Sequence, residues 1–244
     1  MTGLALVAAA YLIGSIPSAF LLARYLRDID IRDYGSGNVG ASNVMQHVGL
    51  RTGIALGVFD TLLKGTMPVV AVNLMGQGTT VQAAVAVAAI AGHNWSAYLR
   101  FTGGRGISIG IGVLLGMGLW VELGLGLLLI GLLGRVVMKD TGIWSLVSFL
   151  ALPVTAILIA RPSEVVYMLG AMAMLLVIKR LVGNWERPST DRYGPARVLL
   201  HRFLWDRDVP KQEAWTDRMP DTDGEPAEDG IAGDAAPSTT GDGR

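Results

Sequence analysis

A carboxylate and an amine, Asp60 and Lys64, stand four residues apart inside an apolar run over 52–75. A further charge, Arg105, is wedged in Gly103-Gly104-Arg105-Gly106 between two more apolar runs. A charge at the centre of a bilayer costs about 2.5–3.5 kcal/mol on insertion scales, and such residues usually face a protein interior or a wet cavity. The pattern predicts a polar, anion-binding site inside a membrane protein. Composition agrees: 51% of residues are hydrophobic and 16% charged, where soluble domains carry about 25% charged. Gly is abundant, at 32 residues, as expected where helices approach closely in lipid. Cysteine is absent and the three His are scattered, which excludes disulfides and a thiolate metal site and leaves no histidine cluster to close one.

A bilayer-spanning helix needs about 20 predominantly apolar residues. The stretches 3–24, 53–75, 80–99, 143–160 and 164–182 meet that need. The run 107–134 is too long for one span and is interrupted at Gly116, Gly118 and Glu122, so it reads as two, 105–118 and 120–137. The expected fold is all-α, a polytopic membrane protein of seven transmembrane helices. Six spans compete if 107–134 is one long helix.

Lys and Arg gather in cytoplasmic loops. Here Arg24, Arg27, Arg32 and Arg51 mark the first loop, Arg100 and Arg105 the next, Arg135 and Lys139 another, and Lys179-Arg180 opens a basic segment after the last span. The loops near 76–79 and 117–122 hold no Lys or Arg, and that near 161–163 holds only Arg161. Seven spans with the amino end outside and the carboxyl end in the cytoplasm satisfy this alternation. No basic segment precedes the first apolar run and Arg24 and Arg27 follow it, so it reads as a retained span, not a cleaved signal. The expected organisation is a transmembrane domain over 1–190, a cytoplasmic or interfacial helix over 191–214 and a disordered acidic tail over 215–244.

The first cytoplasmic loop reads Gly35-Ser36-Gly37-Asn38-Val39-Gly40-Ala41-Ser42-Asn43-Val44. Gly35, Gly37 and Gly40 match G-x-G-x-x-G formally, but the buried strand that a dinucleotide fold requires is missing. Such loops still bare backbone N–H groups, and a helix start adds partial positive charge. The competing reading is a polar turn that caps a helix. Asp60 and Lys64 share a helix face. They either neutralise each other or line a substrate cavity, and Pro68 is expected to distort the helix around them. Gly92-His93-Asn94-Trp95-Ser96 precedes the Arg105 loop, and Arg suits planar, bidentate binding of phosphate or carboxylate. Ser145 and Ser148 are a weaker signal, since serines in membrane helices often bond their own backbone.

In this order the motifs resemble one family, the bacterial membrane acyltransferases that move a fatty acyl group from acyl phosphate to glycerol 3-phosphate. A loop like S-G-N-[IV]-G-A-[TS]-N-V is matched by Ser36 to Val44. D-x-x-K-G-x-x-P-V is matched by Asp60 to Val69 with one additional residue before Lys64. G-H-x-x-P-x-[FY]-x-x-F-x-G-G-K-G is matched at Gly92, His93, Phe101, Gly103, Gly104 and Gly106, with Arg105 in place of Lys. Gly14-Ser15-Ile16-Pro17 and the Ser145/Ser148 pair also fit.

The resemblance implies a seven-span fold in the bacterial inner membrane with its site at the cytoplasmic face. Acyl phosphate and glycerol 3-phosphate would be the substrates, among membrane lipid, and lysophosphatidic acid and phosphate the products, in phospholipid biosynthesis. No cofactor, metal or nucleic acid is expected, and the chain is expected to be a monomer. The resemblance implies catalytic roles for Ser36, Lys64, His93, Arg105 and Ser145. It implies substrate-binding roles for Gly37, Asn38, Gly40, Ser42, Asn43, Gly65, Gly103, Gly104, Gly106, Asn184 and Arg187. Gln46, Ser96 and Leu181 depart from the family's Arg, Pro and His. Weaker acceptor binding, a different acceptor, or replacement of the lost groups by His47 or Arg51 would each fit. A small-anion transporter and a catalytically weakened binding protein are the alternatives. On the acyltransferase reading, Lys64→Ala is expected to abolish transfer without unfolding.

Overall fold

A computed structural model describes residues 2–184 and 194–208 of the 244. Arg187 and the 215–244 tail lie outside the described residues. The described regular structure is helical throughout. It comprises α1 (Thr2–Ser15), α2 (Ser18–Arg27), α3 (Ala41–His47), α4 (Leu50–Phe59), a π-helical segment (Asp60–Thr66), α5 (Met67–Leu74), α6 (Thr79–Asn94), α7 (Ile107–Gly116), α8 (Trp120–Gly126), a second π-helical segment (Leu127–Val137), α9 (Thr141–Leu158), α10 (Ser163–Val182) and α11 (Pro195–Trp205).

Five helices are long and apolar enough to cross a membrane: Thr2–Arg27, Leu50–Leu74, Trp120–Val137, Thr141–Leu158 and Ser163–Val182. α7 is a shorter apolar helix of 10 residues, and α6 has 16. The stretch 107–134 is not one helix. α7 ends at Gly116, and Gly118 takes a left-handed φ of 66° before α8 begins at Trp120. The expected span 80–99 is likewise shorter, because the chain leaves α6 at Asn94 and makes a 3-10 turn over Ala97–Leu99.

The outer surface is apolar. Leu21, Ile54, Leu74, Leu128, Val154, Leu158 and Tyr167 all stand exposed, the arrangement expected where lipid rather than water surrounds the bundle. The interior is built from Ala86, Ala89, Ile90, Val113, Leu152, Leu169, Met172 and neighbours. Two crossings are close because they are built on glycine. A Cβ on Gly14 would overlap the Ala89 carbonyl, and one on Gly92 the Tyr11 carbonyl, so α1 and α6 touch backbone to backbone. Gly112 of α7 meets the Thr61 carbonyl and Gly65 in the same way. Small residues at such crossings allow the helices to reach van der Waals contact in lipid.

Two breaks shape the end that carries the polar loops. Pro17 has no N–H to continue the ladder of α1, and the chain kinks between α1 and α2. The carbonyls released there are taken up by other elements. Ser96 Oγ donates to Ser15 O at 2.5 Å, and Lys64 Nζ donates to Ile16 O at 2.6 Å. The second break is the π-helical turn over Asp60–Thr66, directly before Pro68. The expected distortion at Pro68 thus takes the form of i→i+5 bonding. A π segment accommodates an extra residue inside a helix, and the additional residue between Asp60 and Lys64 lies within it. At the other end, Arg161 grips the buried Glu122 through two bonds of 2.9 Å, tying α8 to the turn between α9 and α10.

Candidate active site

Asp60 and Lys64 are each 1% exposed and lie 2.8 Å apart. Ser18 completes a triangle: Lys64 donates to its hydroxyl at 2.7 Å, and that hydroxyl donates to Asp60 Oδ1 at 2.7 Å. With Ile16 O, this satisfies three donors of the ammonium. The two alternatives offered by the sequence are not exclusive in geometry. The pair is neutralised internally, and each partner also borders a cavity.

Three adjoining cavities collect most of the expected residues. A small one is lined by Ser15, Ser18, Lys64, His93, Ser96 and Gly103. A larger one, of about 200 Å3, is lined by Asn38, Gly40, Ser42, Asp60, His93, Arg105 and Gly106, among others. The third is lined by Ser36, Arg105, Arg180, Asn184, Arg202 and Asp206. His93 borders the first two and Arg105 the last two, so the three cavities share walls, and Ser36, Lys64 and Arg105 line neighbouring ones.

The loop geometry explains the glycines. Gly104 lies against the His93 imidazole, where a Cβ would overlap Nε2, and its N–H donates to His93 O at 3.0 Å. Gly103 is equally tight against the His93 and Asn94 carbonyls. Gly106 turns left-handed, at φ 74°, to start α7. Gly37 has φ 65°, a conformation that only glycine adopts without strain. Asn184 clamps the two loops together: its Nδ2 donates to Gly37 O at 2.8 Å, and its Oδ1 accepts from Gly103 N at 3.0 Å and from Lys179 Nζ at 2.7 Å.

Other expected site residues serve the backbone. Asn43 donates from Nδ2 to Ile31 O and Tyr34 O at 3.0 and 2.9 Å, fixing the turn that leads into the glycine-rich loop. Gly65 is a crossing point between the π turn and α7. Ser145 donates to Thr141 O at 2.6 Å and accepts from Arg180 Nη2 at 2.8 Å, so it steadies an arginine. Of the suggested replacements for the lost family groups, His47 packs against Tyr34 with the rings tilted by 57° and their centroids 5.6 Å apart, and Arg51 is exposed on α4. Neither borders these cavities.

In the sequence, the cations that do border or flank them stand out only as a basic segment. Lys179 is 0% and Arg180 1% exposed. Arg180 reaches Gly142 O, Phe203 O and Leu204 O. Two nitrogens, Arg105 Nη1 and Arg180 Nε, are buried with no hydrogen-bond partner among the described residues. Unsatisfied N–H groups of buried cations are costly, and here both belong to residues of one cavity wall. The arrangement can hold an anion with several oxygens. Among the described residues no cluster of His, Asp and Glu is placed to ligate a metal.

The family described as glycerol-3-phosphate acyltransferase matches residues 4–189. Glycerol-3-phosphate acyltransferase 4 of Dehalococcoides mccartyi (strain CBDB1) is 35% identical over 222 residues, covering 88% of this chain and 93% of that protein. The glycerol-3-phosphate acyltransferase of Endomicrobium trichonymphae is 34% identical, covering 72% of this chain and 90% of its own. The fold is similar to solved structures of PlsY (YgiH), an integral membrane glycerol 3-phosphate acyltransferase. TM-scores are 0.67 for its glycerol 3-phosphate form and 0.65 for its lysophosphatidic acid form; both are 28% identical and cover 74% of this chain and 88% of theirs. With the match running through every motif from Gly14 to Asn184, this chain belongs to the glycerol-3-phosphate acyltransferase family.

Proposed function

We propose that this protein transfers a fatty acyl group from acyl phosphate to the 1-position of glycerol 3-phosphate, giving lysophosphatidic acid and inorganic phosphate. The acceptor hydroxyl attacks the acyl carbonyl, the bond from carbonyl carbon to phosphate oxygen breaks, and the hydroxyl proton ends on the released phosphate. Phosphate is a good leaving group, so the protein's work is positioning and charge stabilisation. Arg105 and Ser36 hold the phosphates, on loops whose glycine N–H groups brace the cavity walls. Lys64 and His93 face the reacting centre from the adjoining cavities. The observation that carries this reading is that three separate sequence motifs line neighbouring cavities that share His93 and Arg105 as walls.

The acyl chain has a place to lie. An apolar groove of about 450 Å3 runs between α2 and α4 along Leu21, Leu22, Ala55, Leu56 and Phe59. Its wall includes Ile16 and Ser18, which also border the Lys64 cavity. The donor's tail would sit beside lipid while its phosphate enters the polar region. The basic loops support seven crossings with the amino end outside, the carboxyl end inside and the site at the cytoplasmic face of a bacterial cell membrane. Residues 1–190 would form the catalytic domain, working as a monomer.

The test is purified protein in lipid, supplied with acyl phosphate and glycerol 3-phosphate. Phosphate release that requires the acceptor supports the reading. Anion flux into vesicles without acyl transfer would replace it with a transporter, and ligand binding without turnover with a binding protein.

A further inference from the structure

The family match ends at residue 189, yet a later helix is built into the site. α11 is docked by arginines. Arg180 Nη1 donates to Phe203 O and Leu204 O at 3.0 and 3.3 Å, and Arg202 donates to Leu181 O at 3.1 Å while pairing with Asp208 at 2.5 Å. The residue that ends α11, Asp206, turns left-handed at φ 58°, a conformation that Asp and Asn tolerate better than most side chains. That turn brings its carboxylate to Arg105. Both oxygens accept from Nε, at 2.7 and 2.9 Å.

We propose that Asp206 is a positioning residue for Arg105: by holding Nε, it fixes the guanidinium plane so that the terminal nitrogens serve the substrate's phosphate. This rests on the acyltransferase reading above. A guanidinium is planar, so fixing its Nε edge sets the direction of the other donors. Arg105 Nη1 is left buried without a partner among the described residues. The side chain borders both the cavity of Ser36 and Asn184 and that of Asn38 and His93. A carboxylate standing in for bound phosphate would fork across two nitrogens of the guanidinium. Asp206 instead spends both oxygens on Nε, the nitrogen nearest the chain. The same contact ties substrate affinity to a segment beyond the family match. An arginine, with more torsions to fix than it can restrain alone, benefits from such a partner, whereas a lysine ammonium has no plane to orient.

The test uses the full chain in lipid nanodiscs, with KM for glycerol 3-phosphate and kcat measured for wild type, Asp206→Asn, Arg105→Lys and the double variant. Asn keeps the shape of Asp and its tolerance of positive φ. Asp206→Asn should raise KM about tenfold, the low end of what losing an orienting partner costs where it holds a metal ligand, and change kcat much less. In the Arg105→Lys background the same substitution should leave KM nearly unchanged. Asp206→Gly, which relaxes the turn, should behave as Asp206→Asn. An unchanged or lowered KM in Asp206→Asn would overturn the proposal, the lowered value marking Asp206 as a competitor of substrate. Equal effects in the Arg and Lys backgrounds would overturn it too, reducing Asp206 to an anchor for α11. If wild type shows no turnover and no binding of glycerol 3-phosphate, the acyltransferase reading falls and this proposal with it. Wild-type turnover with an insensitive Asp206→Asn sinks this proposal alone.

Discussion

Lys64 Nζ lies 2.6 Å from the carbonyl oxygen of Ile16. The cation of one motif, D-x-x-x-K-G, is therefore bonded to the backbone break of another, Gly-Ser-Ile-Pro. Their spacing of 48 residues gives no hint of it. Lys64 borders the site and also closes the kink between α1 and α2.

That double duty changes what Lys64→Ala is expected to do. Removing the ammonium leaves Asp60 buried and unpaired, a loss of about 3–5 kcal/mol. The variant should be inactive and also unfold at a lower temperature in detergent, rather than being inactive alone. Lys64→Met combined with Asp60→Asn should recover much of the stability and none of the turnover. A wild-type melting temperature for Lys64→Ala would show that the pair carries no structural burden.

Gly104→Ala should be a site variant. The added methyl would meet the His93 imidazole, and displacing catalytic geometry by about 1 Å costs on the order of a hundredfold. Gly124→Ala, where the methyl meets nothing within 4 Å, should be close to wild type. Steady-state kinetics of the two variants side by side checks this, and equal kcat/KM for both would refute it.

Chain-length preference should reside in the groove beside Ser18. Ala55→Trp would fill part of it. Turnover of long-chain acyl phosphates should fall by about tenfold or more, the scale of even one methylene that a pocket no longer admits, while short-chain donors are spared. A uniform loss across all chain lengths would place the tail elsewhere.

Acid should loosen the loop beneath the site. The side-chain hydrogen bond from Arg32 holds the Asp30 carboxyl below its ordinary value, against the opposing effect of burial. A lowered folded pKa gives stability that is present above the unfolded value of about 4 and is lost as pH falls through the folded one. Asp30→Asn should therefore melt below wild type at pH 7, and the gap should close as the pH drops below about 4. A gap constant with pH would assign the effect to shape alone.

The strongest signals in the sequence were those with a local cause. Apolar length marked the membrane-crossing helices, although α6 and α7 came out shorter than the runs containing them, because the chain leaves α6 at Trp95 and left-handed glycines, Gly106 and Gly118, bound α7, breaks that hydropathy does not register. Pro68 and Lys64 announced a distorted helix, but not that it would be a π turn. Arg105 and the glycines around it stand out in the sequence as a candidate anion seat. Arg180, Arg202 and Asp206 do not, since charges that follow a last apolar run look the same whether they face water or are folded back under the bundle. Asn43 and Ser145 show the converse: donors suited to substrate are spent on the carbonyls of Ile31, Tyr34 and Thr141.

By itself, then, the sequence determined that this chain is a helical membrane protein, where its polar loops fall and which family it joins. Those properties depend on runs of hydropathy and on short motifs read along the chain. The tertiary structure alone decided which distant polar groups meet. Lys64 meets Ile16 and Arg105 meets Asp206 across 48 and 101 residues, because helices crossing at glycine bring distant polar groups into a space where every buried charge must find an opposite one or a carbonyl.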